Sequence, residues 1–87
     1  MDYGRFIFFS FKTDHPIGGM CDVLCHFNNH NEAKEQLNNR KKLINIFKHD
    51  YFELFDCQRR EVIMHVQGNL PVQLVVDVVK TAEELSE

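Results

Sequence analysis

The feature that most constrains this chain is a strand, polar turn, strand arrangement in its second half. Tyr51 to Asp56 and Glu61 to Val66 are apolar-rich segments of strand length, and the intervening Cys57-Gln58-Arg59-Arg60 is polar and turn-sized. These residues read as a β-hairpin from Asp50 to Val66. A lone hairpin is marginal in water, so further elements must cover it.

The preceding residues supply candidates. Gly4 to Phe11 is apolar on both of its alternating faces, as expected of a strand buried on both sides in the middle of a sheet. Lys12 to Gly19 carries Asp14, Pro16, Gly18 and Gly19 and reads as a loop. Met20 to Phe27 reads as a strand. Strict alternation puts Cys21, Val23, Cys25 and Phe27 on one face, with Asp22 and His26 on the other. Asn29 followed by Glu32 resembles a capping box, so a helix should run from there to about Lys48. Ala33, Leu37, Ile44 and Phe47 share its apolar face, with Leu43 at the edge. Arg40 falls near the middle of that face. Either its aliphatic stem snorkels out or the helix breaks at Asn38-Asn39, and one continuous helix is the preferred reading.

Gly68 and Asn69 break the chain after the hairpin. Leu70 to Glu87 is open between two readings. Asn69 as a cap, Pro71 in a first turn and Thr81-Ala82-Glu83-Glu84-Leu85 favour a helix, whereas Leu74 to Val79 is β-branched enough for a strand. As a helix it carries a stripe of Val72, Val75, Val76, Val79 and Ala82, widened by Leu74, Val78 and Leu85. That is more apolar surface than covering a sheet requires. The whole chain, residues 1–87, is expected to be a single α+β domain. Its expected form is a small antiparallel sheet of about four strands, a helix after strand two and a C-terminal helix, in the order ββαββα.

Composition narrows the function classes. The net charge of -3 offers no general basic footprint for nucleic acid. No apolar run approaches a membrane-spanning length, and the apolar N-terminal stretch reads as a strand, too short and aromatic for a signal peptide. Three cysteines, an odd number, suggest reduced thiols and a cytoplasmic setting.

Constellations with chemical meaning are few. Cys21, Cys25, His26 and His30 offer zinc-type ligands, but His26 alternates to the other face and the spacing is not that of a zinc knuckle. His15, in Asp14-His15-Pro16, is the best-placed candidate acid or base, against a plain reading as a solvated loop histidine. Gly18-Gly19 lacks the spacing of a phosphate loop. Arg40, Lys41, Lys42 and Lys48 form a basic patch on the long helix, and Arg59 and Arg60 occupy the hairpin turn. The plain reading of the patch is a solvated helix face.

A phenylalanine-rich strand leads into Gly18-Gly19-Met20-Cys21-Asp22, a strand ending at Phe27 and an Asn-capped helix from Glu32-Ala33. Asp50-Tyr51-Phe52-Glu53-Leu54-Phe55-Asp56 and Glu61-Val62-Ile63 follow. This order resembles a loose group of short phage- and prophage-encoded proteins, over roughly Phe6 to Ile63. The chain departs from that group at Met20, where an aromatic is common. Its helix is longer by about two turns through Asn38 to Asn45, and Arg59-Arg60 replaces the usual Thr-Gly. The C-terminal segment lies outside the likeness. The resemblance implies a fold and a phage context, and no activity.

Three functions are compatible with these features. The first is a non-enzymatic protein that binds and inhibits or redirects a host protein, of which anti-defence factors such as anti-CRISPR proteins are a subclass. Its candidate contact residues are Arg40, Lys41, Lys42, Arg59, Arg60, Leu74, Val78 and Leu85, and a homo-oligomer through the C-terminal segment is expected beside it. The alternative is an oligomeric binder of a nucleotide or nucleic acid, with Arg59, Arg60 and Lys41 on phosphates. The third, a hydrolase using His15 or a metal, has least support. No catalytic, cofactor or metal residues are assigned, and no membrane partner is expected.

Overall fold

The computed structural model describes residues 4–12 and 23–85. In chain order they form β1 (Phe6–Phe11), β2 (Val23–Phe27), α1 (His30–Phe47), β3 (Tyr51–Asp56), β4 (Glu61–Gln67) and α2 (Val72–Leu85). The strands make one antiparallel sheet in the order β2-β1-β3-β4. This is the expected α+β fold in the ββαββα order. The C-terminal segment is a helix, which resolves the ambiguity between helix and strand.

The central place of β1 follows from its two apolar faces. Phe6 and Phe8 are fully buried on the face that meets the helices, and Ile7 is buried on the other. Cys25, Phe27, Phe52 and Leu54 join Phe6 and Phe8 against Ala33, Leu37 and Ile44 of α1 and Val75, Val79 and Ala82 of α2. Both helices therefore cover the same side of the sheet. Phe6 stacks on its cross-strand partner Phe27, with ring centroids 6.1 Å apart. Gly4 makes the entry to β1 possible: a methyl group there would lie 2.6 Å from the Phe27 carbonyl oxygen.

Two β-bulges redirect side chains. In β2, Phe8 faces Cys25 but Phe9 faces Val23, leaving Leu24 as the extra residue. Val23 consequently lies on the opposite face from Cys25 and Phe27, contrary to strict alternation. Met20, Cys21 and Asp22, counted as part of this strand from sequence, lie outside the described residues, as do His15 and Gly18-Gly19. In β4, Leu54 faces Met64 and Phe55 faces Val62, leaving Ile63 as the extra residue.

α1 is continuous, and Arg40 is half-buried within it. The capping arrangement is present: the Glu32 amide donates to Asn29 Oδ1 at 2.9 Å. Glu32 reaches back to accept from the amide of Asn28 rather than Asn29, at 3.0 Å. At the other end Lys48 turns left-handed, with φ 55°, while the His49 amide donates to the Ile44 carbonyl at 3.1 Å.

The burial expected for Phe47 is wrong, since this side chain is 60% exposed. The cause is length. At 1.5 Å per residue an 18-residue helix spans about 27 Å. Strands of 5–7 residues reach only about 17–23 Å at 3.3 Å each. The last turn of α1 outruns the sheet, and Ile44 is its last buried residue.

α2 begins after Pro71, whose carbonyl accepts from the Val75 amide at 2.9 Å. Pro71, rather than Asn69, thus occupies the capping position. Val75, Val79 and Ala82 are buried and Val72 and Val76 half-buried, as the main stripe predicts.

Candidate functional site

The hairpin turn is built on Asp56, whose side chain is fully buried. Its Oδ1 accepts from the amides of Gln58 at 3.0 Å and Arg59 at 3.4 Å, the geometry of an Asx turn. Its backbone carbonyl accepts from the Arg60 amide at 2.7 Å. Arg60 closes the turn in the left-handed region, with φ 58°. Arg5 clamps the same carboxylate with two parallel hydrogen bonds, Nε to Oδ1 at 3.1 Å and Nη2 to Oδ2 at 3.0 Å. Burial alone would raise the Asp56 pKa. The Arg5 bonds, the Gln58 and Arg59 amides and the Arg5 charge outweigh it and hold the carboxyl below its ordinary value. Arg5 Nη2 also reaches the Ala82 carbonyl at 3.4 Å. One cation therefore fixes the turn relative to the end of α2.

This clamp shapes a groove of about 260 Å³ between the hairpin and α2. Arg59 and Ile63 line one wall, and Asp77, Val78, Thr81, Ala82 and Leu85 line the other. The bulge in β4 explains the presence of Ile63. It turns this extra residue toward the core and α2 instead of the far face. Beside the groove runs the outer edge of β4, the last strand of the sheet, with which no strand pairs among the described residues. Arg59 forms an exposed ion pair with Glu61 at 2.9 Å, weak in water and easily exchanged for another partner.

The structure therefore brings three of the eight sequence-predicted contact residues, Arg59, Val78 and Leu85, into one groove. Arg60 is their exposed neighbour in the turn, and Leu74 lies one turn before Val78, 45% exposed. Arg40, Lys41 and Lys42 belong elsewhere. His30, at the start of α1, holds Glu83 from the end of α2: its amide donates to Glu83 Oε1 at 2.6 Å. The helices are thus antiparallel, and Lys41 lies eleven residues, about 16 Å, further along α1 from the groove end. Phosphate binding by Arg59, Arg60 and Lys41 together has no geometric support within one chain. Arg40 is drawn inward, where its charge acts on Cys25. Ile63, Asp77, Thr81 and Ala82 were missed from sequence, since their meeting depends on the bulge and on how α2 docks.

The cysteine and histidine candidates scatter. Cys21 lies outside the described residues. Cys25 faces the core, and burial pushes its thiol up to about 12, partly offset by Arg40, so it stays protonated. His26 is on the far face, where its Nδ1 accepts from the Gly4 amide at 2.9 Å. His30 holds Glu83, with Nδ1 and Oε1 3.2 Å apart. Burial and then the Asp56 charge raise the Cys57 thiol. Among the described residues no group of three or more His, Cys, Asp or Glu side chains could hold a metal ion. Ser10 Oγ and His49 Nδ1 are 2.6 Å apart, a pairing that joins the end of β1 to the segment after α1, with Ser10 buried.

No helix among the described residues is long and apolar enough to cross a membrane. Comparison with curated proteins finds no match, and comparison with solved structures finds none either. A family model does match: residues 6–65, from β1 into β4, fit the family described as Bacteriophage T4 protein Y07C.

Proposed function

Because the chain belongs to the bacteriophage T4 protein Y07C family, we propose that it is a non-enzymatic phage protein that binds a host protein and inhibits or redirects it, with host defence proteins as one class of target. The observation that supports this is the groove between the hairpin and α2 beside the outer edge of β4, unpaired among the described residues. An open strand edge offers unpaired N–H and C=O groups, and an adjoining apolar groove selects side chains; together they suit an extended peptide segment added to a sheet. Val78, Ile63 and Leu85 would take an apolar side chain of that segment, and Arg59 would exchange Glu61 for an acidic one.

The test is affinity capture from host cells with the wild-type chain as bait, repeated with Arg59→Glu combined with Leu85→Glu. Both positions are exposed, so the double variant should fold. The expected result is one host protein retained by wild type and lost with the double variant. Retention undiminished by the double variant would place the contact elsewhere and refute this reading. For the defence subclass, expression in a host with an active defence system should restore phage plating, and the double variant should not.

A further inference from the structure

The overhanging end of α1 is left out of the groove. Leu43, Ile46 and Phe47 are 44%, 59% and 60% exposed there. Their spacing of three and four residues places them on one side of the helix. Phe47 is held in position by its ring stack on His49, with centroids 5.9 Å apart. Along this stretch of chain the charge is of one sign. From Gln36 to His49 the chain has no acidic residue and carries Arg40, Lys41, Lys42 and Lys48, although the whole protein has a net charge of -3. The nearest following acid, Asp50, is half-buried just before β3, where its amide donates to the Phe11 carbonyl.

Contrary to the expectation of no membrane partner, we propose that this end of α1 docks on an anionic lipid surface, with Ile46 and Phe47 inserted among the acyl chains at the headgroup boundary and Lys42 and Lys48 on the lipid phosphates. Charge complementarity selects an anionic occupant. A second copy would set like charges against each other, and a lipid surface needs less apolar area than a folded partner. Three side chains expose a few hundred Å² at most, short of the roughly 800 Å² per partner that a stable protein interface buries. A bilayer needs no matching shape and rewards each cation separately. The surface lies at the opposite end of α1 from the groove, so it stands whether or not the groove binds a host protein.

The test is co-sedimentation of the full chain with vesicles of phosphatidylglycerol and phosphatidylethanolamine, against vesicles of phosphatidylcholine alone. Wild type should bind the anionic vesicles, more weakly as salt rises, and leave the neutral ones unbound. Ile46→Ser with Phe47→Ser should weaken binding at least tenfold. Lys42→Gln and Lys48→Gln should each weaken it about fivefold. All four side chains are exposed, so melting curves of these variants should match wild type. Leu85→Glu, at the groove, should bind vesicles as wild type does. Absence of binding to anionic vesicles, equal binding to neutral ones, or indifference to the α1 substitutions overturns the proposal. So does retention on an immobilised acidic protein, lost in the α1 variants, without vesicle binding, which would give this surface to a protein.

Discussion

Single residues in this fold hold conformations that their side chains disfavour. Arg60 and Lys48 both sit at positive φ, 58° and 55°. A non-glycine residue gives up about 1–2 kcal/mol in that region. Replacing it by glycine restores that energy, less about 0.4–1 kcal/mol of added freedom in the unfolded chain. Arg60→Gly should therefore raise the melting temperature by a few degrees, and thermal unfolding by circular dichroism checks it; a lower midpoint would show that Arg60 makes a compensating contact. The Thr-Gly common at this turn in similar phage sequences now has a backbone reason. Asp56 shows the opposite economy, a buried charge with every contact arranged for it. Its pKa is depressed in the fold, so its stabilisation is complete above the unfolded value of about 3.9 and is lost as pH falls through the lower folded value. Comparing urea unfolding of wild type and Asp56→Asn between pH 6 and pH 2.5 should show the difference between them shrinking as pH drops. A constant difference would mean that the carboxylate charge plays no part. The Arg5–Asp56 clamp was not legible in the sequence, since 51 residues separate its two halves and neither belongs to a motif.

Among whole elements, legibility followed locality. The hairpin could be read because its strands and turn lie within seventeen residues, and α1 because its Asn29 cap and apolar spacing are local signals. The face of Val23 could not be read, because one extra residue at Leu24 inverts everything before it in β2. The exposure of Phe47 has a related cause. An apolar stripe shows which side of a helix turns inward but not how far the sheet beneath it extends. The overhang predicts a sharp contrast along one helix. Leu37→Ala removes a fully buried side chain and should cost about 2–5 kcal/mol, whereas Phe47→Ala should cost well under 1 kcal/mol. Denaturant titration of the two variants distinguishes the cases. A large loss for Phe47→Ala would show that the last turn is packed in solution. The candidate groove was half legible by the same logic: the α2 stripe named Val78 and Leu85, the turn named Arg59, and only the fold could show that they meet.

For the molecule as a whole, the surplus apolar surface on α2 has two competing uses. A domain of this size is only marginally stable by itself, and Leu74 and Leu85 remain 45% and 72% exposed after folding. A second copy covering Leu74, Val78 and Leu85 would bury them, and the outer edge of β4, unpaired among the described residues, could extend the same contact. We expect a homodimer through α2, and light scattering on wild type and on Leu74→Glu with Leu85→Glu tests it. Wild type should run as a dimer and the double variant as a folded monomer; a wild-type monomer at tens of micromolar would refute it. This expectation constrains the proposed host contact, because both use Leu85 and the same strand edge. Two ligands that exclude each other from one surface must each weaken the other by mass action. Titrating the captured host protein into the dimer should therefore dissociate it to a one-to-one complex, with apparent affinity falling as the concentration of the phage protein rises. A stable complex of two phage chains with host protein bound would break the exclusion. The dimer would then own the α2 face, and the host contact would have to be sought on another surface.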